Sequence, residues 1–314
     1  MTSVSLDRPW RPDREIELIV GTPAGGGQDR PARALADVMA EQRLIDSPLK
    51  LNNIPGRGGS NGWEYLATRT GDPYVAAISS PTLISNQLLA VSSLDYQALT
   101  PLATLYTEYT AFVVPAASKI SGAAELFRLL GSNPGELTIA LATALGNSNH
   151  IALARVVQHA GGDIGGLRIS VFDSARYALA ELIEGRAQLA TVTAASALPE
   201  LQASKVRVLA VSSPQRLNGL LAEVPTLLEH GVDCAVGMWR GVVGAPSIPP
   251  PVVAFWNSTL RLATGSARWR TELARQYWAD TYLSSSETVG FLNQQRVDMA
   301  SALRDMGMIT PSHS

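Results

Sequence analysis

One cysteine, Cys234, stands in a chain of 314 residues, which excludes an intrachain disulfide and any zinc site built on several thiolates. The four histidines, His150, His159, His230 and His313, are far apart, and none has the HExxH spacing of a helical zinc site. Charge is sparse at 17% of residues, the formal net charge is -2, and lysines and arginines are scattered, so nothing marks a nucleic-acid surface. No apolar run is long enough to cross a bilayer. Residues 1–15 carry Asp7, Arg8, Arg11, Asp13, Arg14 and Glu15, without the apolar stretch or small-residue cleavage site of a secretory leader. From this stretch the expectation is a chain that stays in the cytoplasm, or one whose leader was removed or whose start was misassigned. Short-period repeats and low-complexity segments are also missing. What remains is ordinary globular composition, 46% hydrophobic, in a chain too long for one small core and typical of two domains.

The most informative stretch is the glycine-rich run Gly21-Thr22-Pro23-Ala24-Gly25-Gly26-Gly27-Gln28-Asp29. It follows the β-branched run Ile16–Val20 and precedes a helix-like segment from Pro31, so it reads as strand, tight loop, helix. Glycines let backbone approach a ligand closely, and the amides and dipole at a helix start favour an anion. No Lys-Ser or Lys-Thr pair follows the glycines, so a phosphate-binding P-loop is excluded. The dinucleotide pattern fails as well: its third glycine position is Arg30, and the next strand-like run ends at Asn52-Asn53 without an acid for a ribose. A small carboxylate held by backbone N–H groups remains, beside the plainer reading of a tight turn without ligand.

Strand-like and helix-like runs alternate along the chain, which predicts an α/β architecture with mostly parallel sheets. Expected strands include Phe112–Val114 and Trp239–Val243, and expected helices include Val224–His230. The strand–loop–helix pattern of the glycine run has a weak echo at Leu137–His150. Ligands of open α/β sheets lie beyond the carboxyl ends of strands. Two such loops facing one another describe a two-lobed protein that closes on its ligand by hinge motion. The chain is expected to cross to the second lobe near residue 114 and to return near 237.

These residues resemble a known family. The Pro-Ala-Gly-Gly-Gly-x-Asp loop at 23–29 and the stretch Asn53-Ile54-Pro55-Gly56-Arg57-Gly58-Gly59-Ser60-Asn61-Gly62 are similar to motifs of the Bug family, the substrate-binding receptors of tripartite tricarboxylate transporters. Gly146-Asn147-Ser148-Asn149-His150, Ala197-Leu198-Pro199, Arg207–Ser212, Val224-Pro225-Thr226 and Gly244-Ala245-Pro246 follow in family order, so the resemblance runs from about 13 to 308. It implies a two-lobed, type II periplasmic-binding-protein-like fold. Lobe 1 would comprise 13–114 with 238–308 and lobe 2 would comprise 115–237, with flexible termini at 1–12 and 309–314. It implies a monomer in the periplasm that binds an organic, amino or aromatic acid without cofactor, metal or catalysis, and that feeds the membrane components of a transporter or a sensing pathway.

The implied ligand contacts are Thr22, Pro23, Ala24, Gly25, Gly26, Gly27, Gln28 and Asp29, with Ser80, Thr82, Thr143, Asn147, Ser148, Asp173 and Arg240. Against the family pattern, Thr22 stands where an aromatic residue is usual, Asp173 where a base is usual, and Arg240 where an aromatic is usual. Thr22 therefore predicts a roomier pocket, for a ligand larger than a simple dicarboxylate or for several ligands with water. Arg240 and Asp173 are expected either to latch the closed lobes together or to grip the ligand.

Several residues have plainer readings. Asp29 reads as a helix N-cap that also shapes the loop. His150 reads as a structural hydrogen-bond partner or a ligand contact. Ser148, His150 and Asp173 could be imagined as a nucleophile set, but no nucleophile elbow frames them. Cys234 reads as a small buried apolar side chain, and Trp256, Trp269 and Trp278 as core. The alternative function is an enzyme, a hydrolase or decarboxylase of a carboxylic acid, built on the same cleft.

Overall fold

The computed structural model describes residues 10–310, so 1–9 and 311–314 of the expected flexible ends, His313 among them, lie outside the described residues. Trp10 packs with its ring centroid 5.1 Å from that of Phe255, and Ile309 packs on the same core.

The first half alternates β1 (Ile16–Val20), α1 (Asp29–Glu41), β2 (Leu49–Asn53), α2 (Ser60–Ala67), β3 (Val75–Ser79) and α3 (Thr82–Leu88). A long strand, β4 (Thr100–Pro115), leads into α4 (Ala123–Ser132), β5 (Thr138–Ala142), α5 (Ser148–His159), β6 (Arg168–Phe172), α6 (Ala175–Ile183), β7 (Leu189–Thr193), α7 (Ala194–Gln202) and β8 (Val206–Val211). The chain returns through β9 (Gly237–Gly244) to α8 (Pro250–Thr264), α9 (Ala267–Gln276), β10 (Ala279–Leu283) and α10 (Ser285–Asp305).

β4 belongs to two sheets. One runs β2-β1-β3-β9-β4-β10 and the other runs β8-β4-β7-β5-β6. β1–β3 are mutually parallel and so are β5–β7, whereas β4 is antiparallel to every neighbour. The sheets are therefore mixed: the parallel strands carry the loops, and an antiparallel strand joins the halves. β4 changes partners between Tyr109, opposite Gly237, and Thr110, opposite Thr193. Ser212 ties the two crossing strands at that point, accepting from Thr110 N–H at 2.9 Å and donating to the Val236 carbonyl at 2.7 Å.

Side-chain alternation along β4 divides the cores. Phe112 and Val114 enter one apolar cluster, with Leu126, Leu153 and the buried Cys234, while Ala111 and Val113 enter another, with Leu179 and Val192. Tyr106 joins the large core of the first half, where its ring stacks on Trp278 with centroids 4.0 Å apart and where Trp256 and Trp269 are also buried.

Three local differences from the sequence reading stand out, two of them with a physical reason. β4 is far longer than Phe112–Val114, because β9 and β10 pair with its first part and β7 and β8 with its second, and Pro101 sits near its start, where a lost amide donor is tolerated. Val224–His230 is not an α-helix. Pro225 cannot donate, the Leu227 amide bonds the Val211 carbonyl at 2.9 Å, and only Leu228–His230 turns as a short 3-10 segment. α7 forms although it contains Pro199, a residue that argues against helix.

Candidate functional site

β1 ends at Val20, and its glycine-rich loop packs backbone to backbone on the loop after β2. A Cβ on Gly21 would lie 2.7 Å from the Gly59 Cα, so a side chain has no room there. The second loop bends through Gly56, Gly58 and Gly59, with φ of 121°, 65° and 106°, values that favour glycine. Both loops stand beyond the carboxyl ends of parallel strands, where open α/β sheets present their ligand sites.

Most amides of the first loop are already engaged. Gly25 N–H donates to Asp29 Oδ2 at 2.8 Å, Gly26 N–H to the Pro23 carbonyl at 2.9 Å, and Gln28 N–H to Thr22 Oγ1 at 3.3 Å. Asp29 N–H donates to the Gly26 carbonyl at 3.1 Å. The amides of Thr22, Ala24 and Gly27 are left without an acceptor among the described residues.

The N-cap position belongs to Gln28, not to Asp29, which is the first residue of α1. Asp29 is fully buried, and its carboxylate also accepts from Asn53 Nδ2 at 2.9 Å and Arg33 Nε at 2.7 Å. Burial alone would raise its pKa, but the hydrogen bonds from Arg33, Gly25 and Asn53 outweigh that and hold it below the usual carboxylate range. Asp29 thus fixes the loop from beneath.

A cavity of about 310 Å³ opens between these loops and the second half of the chain. Thr22, Pro23, Gly27, Gln28, Ser80, Thr82, Thr143, Asp173 and Arg240 line it, all of them expected from the sequence. So do Pro55, Gly56, Arg57, Gly58 and Met238, which sequence reasoning left out of the site. The bent Asn-x-Pro-Gly loop was the signal for the first four, because it follows the carboxyl end of β2. Ala24, Gly25 and Gly26 line an outer groove of about 430 Å³ with Arg30, Arg176 and Tyr177. One wall of the main cavity is a polar chain: Gln28 Nε2 reaches Ser80 Oγ at 3.4 Å, Ser80 Oγ meets Thr82 Oγ1 at 2.8 Å, and Thr82 donates to the Gly58 carbonyl at 2.9 Å.

The second half contributes Thr143, at the carboxyl end of β5. Its φ of 74° is strained for a β-branched residue, the kind of backbone found where a side chain is held at a site. Asn147 holds the turn, donating to the Ala142 carbonyl and to Thr143 Oγ1, each at 2.7 Å, and accepting from His150 N–H at 3.0 Å. It is fully buried and supports Thr143 instead of lining the cavity. Ser148 points elsewhere, donating to the Gly237 carbonyl at 2.9 Å. His150 Nδ1 accepts from Gly146 N–H at 3.0 Å, and burial lowers its pKa to about 4, so it is neutral at neutral pH. Ser148, His150 and Asp173 are therefore not assembled into a nucleophile set. Across the cleft mouth, Arg30 Nη2 donates to Ser196 Oγ at 2.8 Å.

Arg240 is not paired with Asp173. Its Nη2 donates to Glu108 Oε1 at 2.8 Å, and the two side chains are only 5% and 2% exposed. The guanidinium also reaches the carbonyls of Gly27 and Trp239, each at 3.3 Å. Among the described residues no group of three or more His, Cys, Asp or Glu is placed to hold a metal ion, and no helix is long and apolar enough to cross a membrane.

Comparison with known proteins agrees with this layout. BugT of Bordetella pertussis is 24% identical over 301 residues, covering 94% of this chain and 90% of BugT. In three dimensions the chain resembles an R. palustris protein solved with adipate, at a TM-score of 0.86 and 22% identity over 94% of this chain and 98% of that one. It also resembles MatC from Rhodopseudomonas palustris with bound malate, at a TM-score of 0.81 and 20% identity over 93% and 99% of the two chains. Both likenesses extend over nearly the whole length, which makes the fold that of a periplasmic solute-binding protein. The sequence profile of the tripartite tricarboxylate transporter family receptor, TctC, matches residues 32–307, from the first turn of α1 to the end of α10. With both glycine loops and the cleft they bound inside or adjoining that span, this chain belongs to the tripartite tricarboxylate transporter receptor family.

Proposed function

We propose that this chain is a non-catalytic receptor that binds a small carboxylate between two lobes, 13–114 with 238–308 and 115–237. In this reading it works in the periplasm, as a monomer, and hands its ligand to the membrane components of a tripartite-type transporter. The observation that carries the reading is the cavity of about 310 Å³ at which the two halves meet, with the unengaged amides of Thr22 and Gly27, in the loop that leads into α1, on its wall. Adipate and malate in the related structures are consistent with a carboxylate ligand. The engagement of Ser148 and His150 in structural hydrogen bonds favours a receptor over a hydrolase.

A thermal-shift screen of aliphatic, amino and aromatic acids tests this. A ligand at a hundred times its Kd stabilises the folded chain by about 2.7 kcal/mol, a shift of several degrees, and should be recovered intact by mass spectrometry. Gly26→Val is expected to abolish the shift, because a Cβ there would lie 2.7 Å from Thr22 and 2.8 Å from the Pro23 carbonyl, deforming the loop. Consumption of the acid, or calorimetric affinity unchanged in a folded Gly26→Val protein, refutes the reading.

A further inference from the structure

At this cleft a buried carboxylate is only half satisfied. Glu108 is 1% exposed, and its two oxygens differ. Oε1 accepts from Arg240, whereas Oε2 is buried without a hydrogen-bond partner among the described residues. A buried carboxylate oxygen without a donor costs free energy that a satisfied or apolar group would not. Glu108 lines an inner chamber of about 40 Å³, enough for one small polar group. The chamber shares Thr22, Gly27, Thr143, Asp173, Met238 and Arg240 with the main cavity and adjoins it.

The charges there favour a donor. Arg240 is committed to Glu108, to two carbonyls and to Met238 Sδ. Arg57, the other arginine of the cavity, pairs with Glu64 at 2.8 Å. Asp173 lines both spaces and makes no ion pair among the described residues. Two carboxylates, Glu108 and Asp173, therefore face one arginine at the inner end, where an ammonium would be attracted and a second carboxylate repelled.

We infer that Glu108 is a specificity-determining residue, whose free oxygen accepts from an amine or hydroxyl carried by the carboxylate ligand. Amino acids are then preferred, followed by hydroxy acids, over unsubstituted acids of the same length. This rests on the carboxylate-receptor reading and narrows its ligand class.

Isothermal titration of the full chain with matched sets decides the matter. The sets are succinate, malate and aspartate; glutarate, 2-hydroxyglutarate and glutamate; adipate and 2-aminoadipate; and 3-phenylpropionate and phenylalanine. In the set whose length suits the cavity, the amino acid is expected to bind about tenfold or more tighter than its unsubstituted parent, the worth of one hydrogen bond to a charged group. Glu108→Gln keeps the shape, removes the charge, and should bring that ratio close to one. Should this variant unfold by stranding Arg240, Glu108→Gln with Arg240→Gln serves in its place. A parent acid that binds as well as its amino derivative overturns the inference and leaves the receptor reading standing, as does a ratio unchanged in a folded Glu108 variant. Failure of every acid in every set overturns both.

Discussion

Arg240 offers a direct energetic test of the inner wall. Arg240→Met keeps a long, unbranched side chain and removes the charge and every donor. Glu108 would then hold a buried charge with neither oxygen bonded, since Oε2 is already without a partner. Removing one member of a buried pair costs about 3–5 kcal/mol, against roughly 0–1 kcal/mol for a surface pair. The 3.3 Å contacts to Gly27 and Trp239 are long and add little. Unfolding entropy near 2.1 cal/mol/K per residue converts that cost into a fall in Tm of roughly 5–8 °C for a chain of this length. The double variant Arg240→Met with Glu108→Gln removes both charges and should recover most of the loss, because replacing both members of a buried pair is often neutral.

The assay is thermal unfolding of the wild type, both single variants and the double variant, followed by circular dichroism at pH 7. The four values close a double-mutant cycle whose coupling energy isolates the pair. Buried charges are weakly screened, so the differences should persist from low to high salt. A single variant within 1 kcal/mol of wild type, by the order of a surface pair, would refute the burial argument. So would a double variant no more stable than the worse single variant.

Two further outcomes follow from the same geometry. His150 has a folded pKa of about 4 against 6.5 for the free side chain, so the unfolded chain binds the proton more readily. Its contribution is fully present above pH 6.5 and is lost as the pH falls from 6.5 through 4, by about 3 kcal/mol in all. His150→Asn, which keeps an acceptor for Gly146 N–H, should flatten that part of the stability profile measured by denaturant titration; an unchanged profile would contradict the assignment. Thr22→Phe fills the wall that Thr22 leaves open and should weaken adipate and aromatic acids by about tenfold while sparing succinate, read by calorimetry; equal loss for all acids would remove Thr22 from the choice of ligand size.

The loop at 21–29 was legible because its chemistry is local. A β-branched run, consecutive glycines and a helix start are neighbours in sequence, and the strand that precedes them is a regular parallel one. Its finer hydrogen bonding was not. Asp29 looks like an N-cap in sequence, yet Arg33 one turn on and Asn53 at the end of β2 draw its carboxylate under the loop. Asn147 and Ser148 carry the right residue types at the right turn, but each is consumed by a nearby carbonyl, a partner that sequence does not reveal.

Glu108 was hidden for a different reason. Its contact with Arg240 spans 132 residues and depends on the register of β4 against β9. In that register Glu108 lies opposite Met238 and Tyr106 opposite Arg240, so Glu108 and Arg240 are diagonal neighbours on one face of the sheet. Recognising β4 over its full length was therefore the precondition, and its mixed sequence obscures the period-two pattern. Tyr106, Glu108 and Thr110 share a face with Phe112 and Val114, and the opposite face also mixes apolar and polar residues, as at Leu105, Thr107 and Ala111. Most residues on both faces of β4 are buried, and a strand covered on two sides need not alternate. The sign that was present is the acid itself. A lone carboxylate in a strand whose neighbours are apolar or hydroxylic requires a buried partner, and Arg240 follows Trp239 in the strand that returns to the first lobe. Pairing these two residues from sequence would have identified the partner of Arg240 and, with it, an acid at the inner end of the cleft.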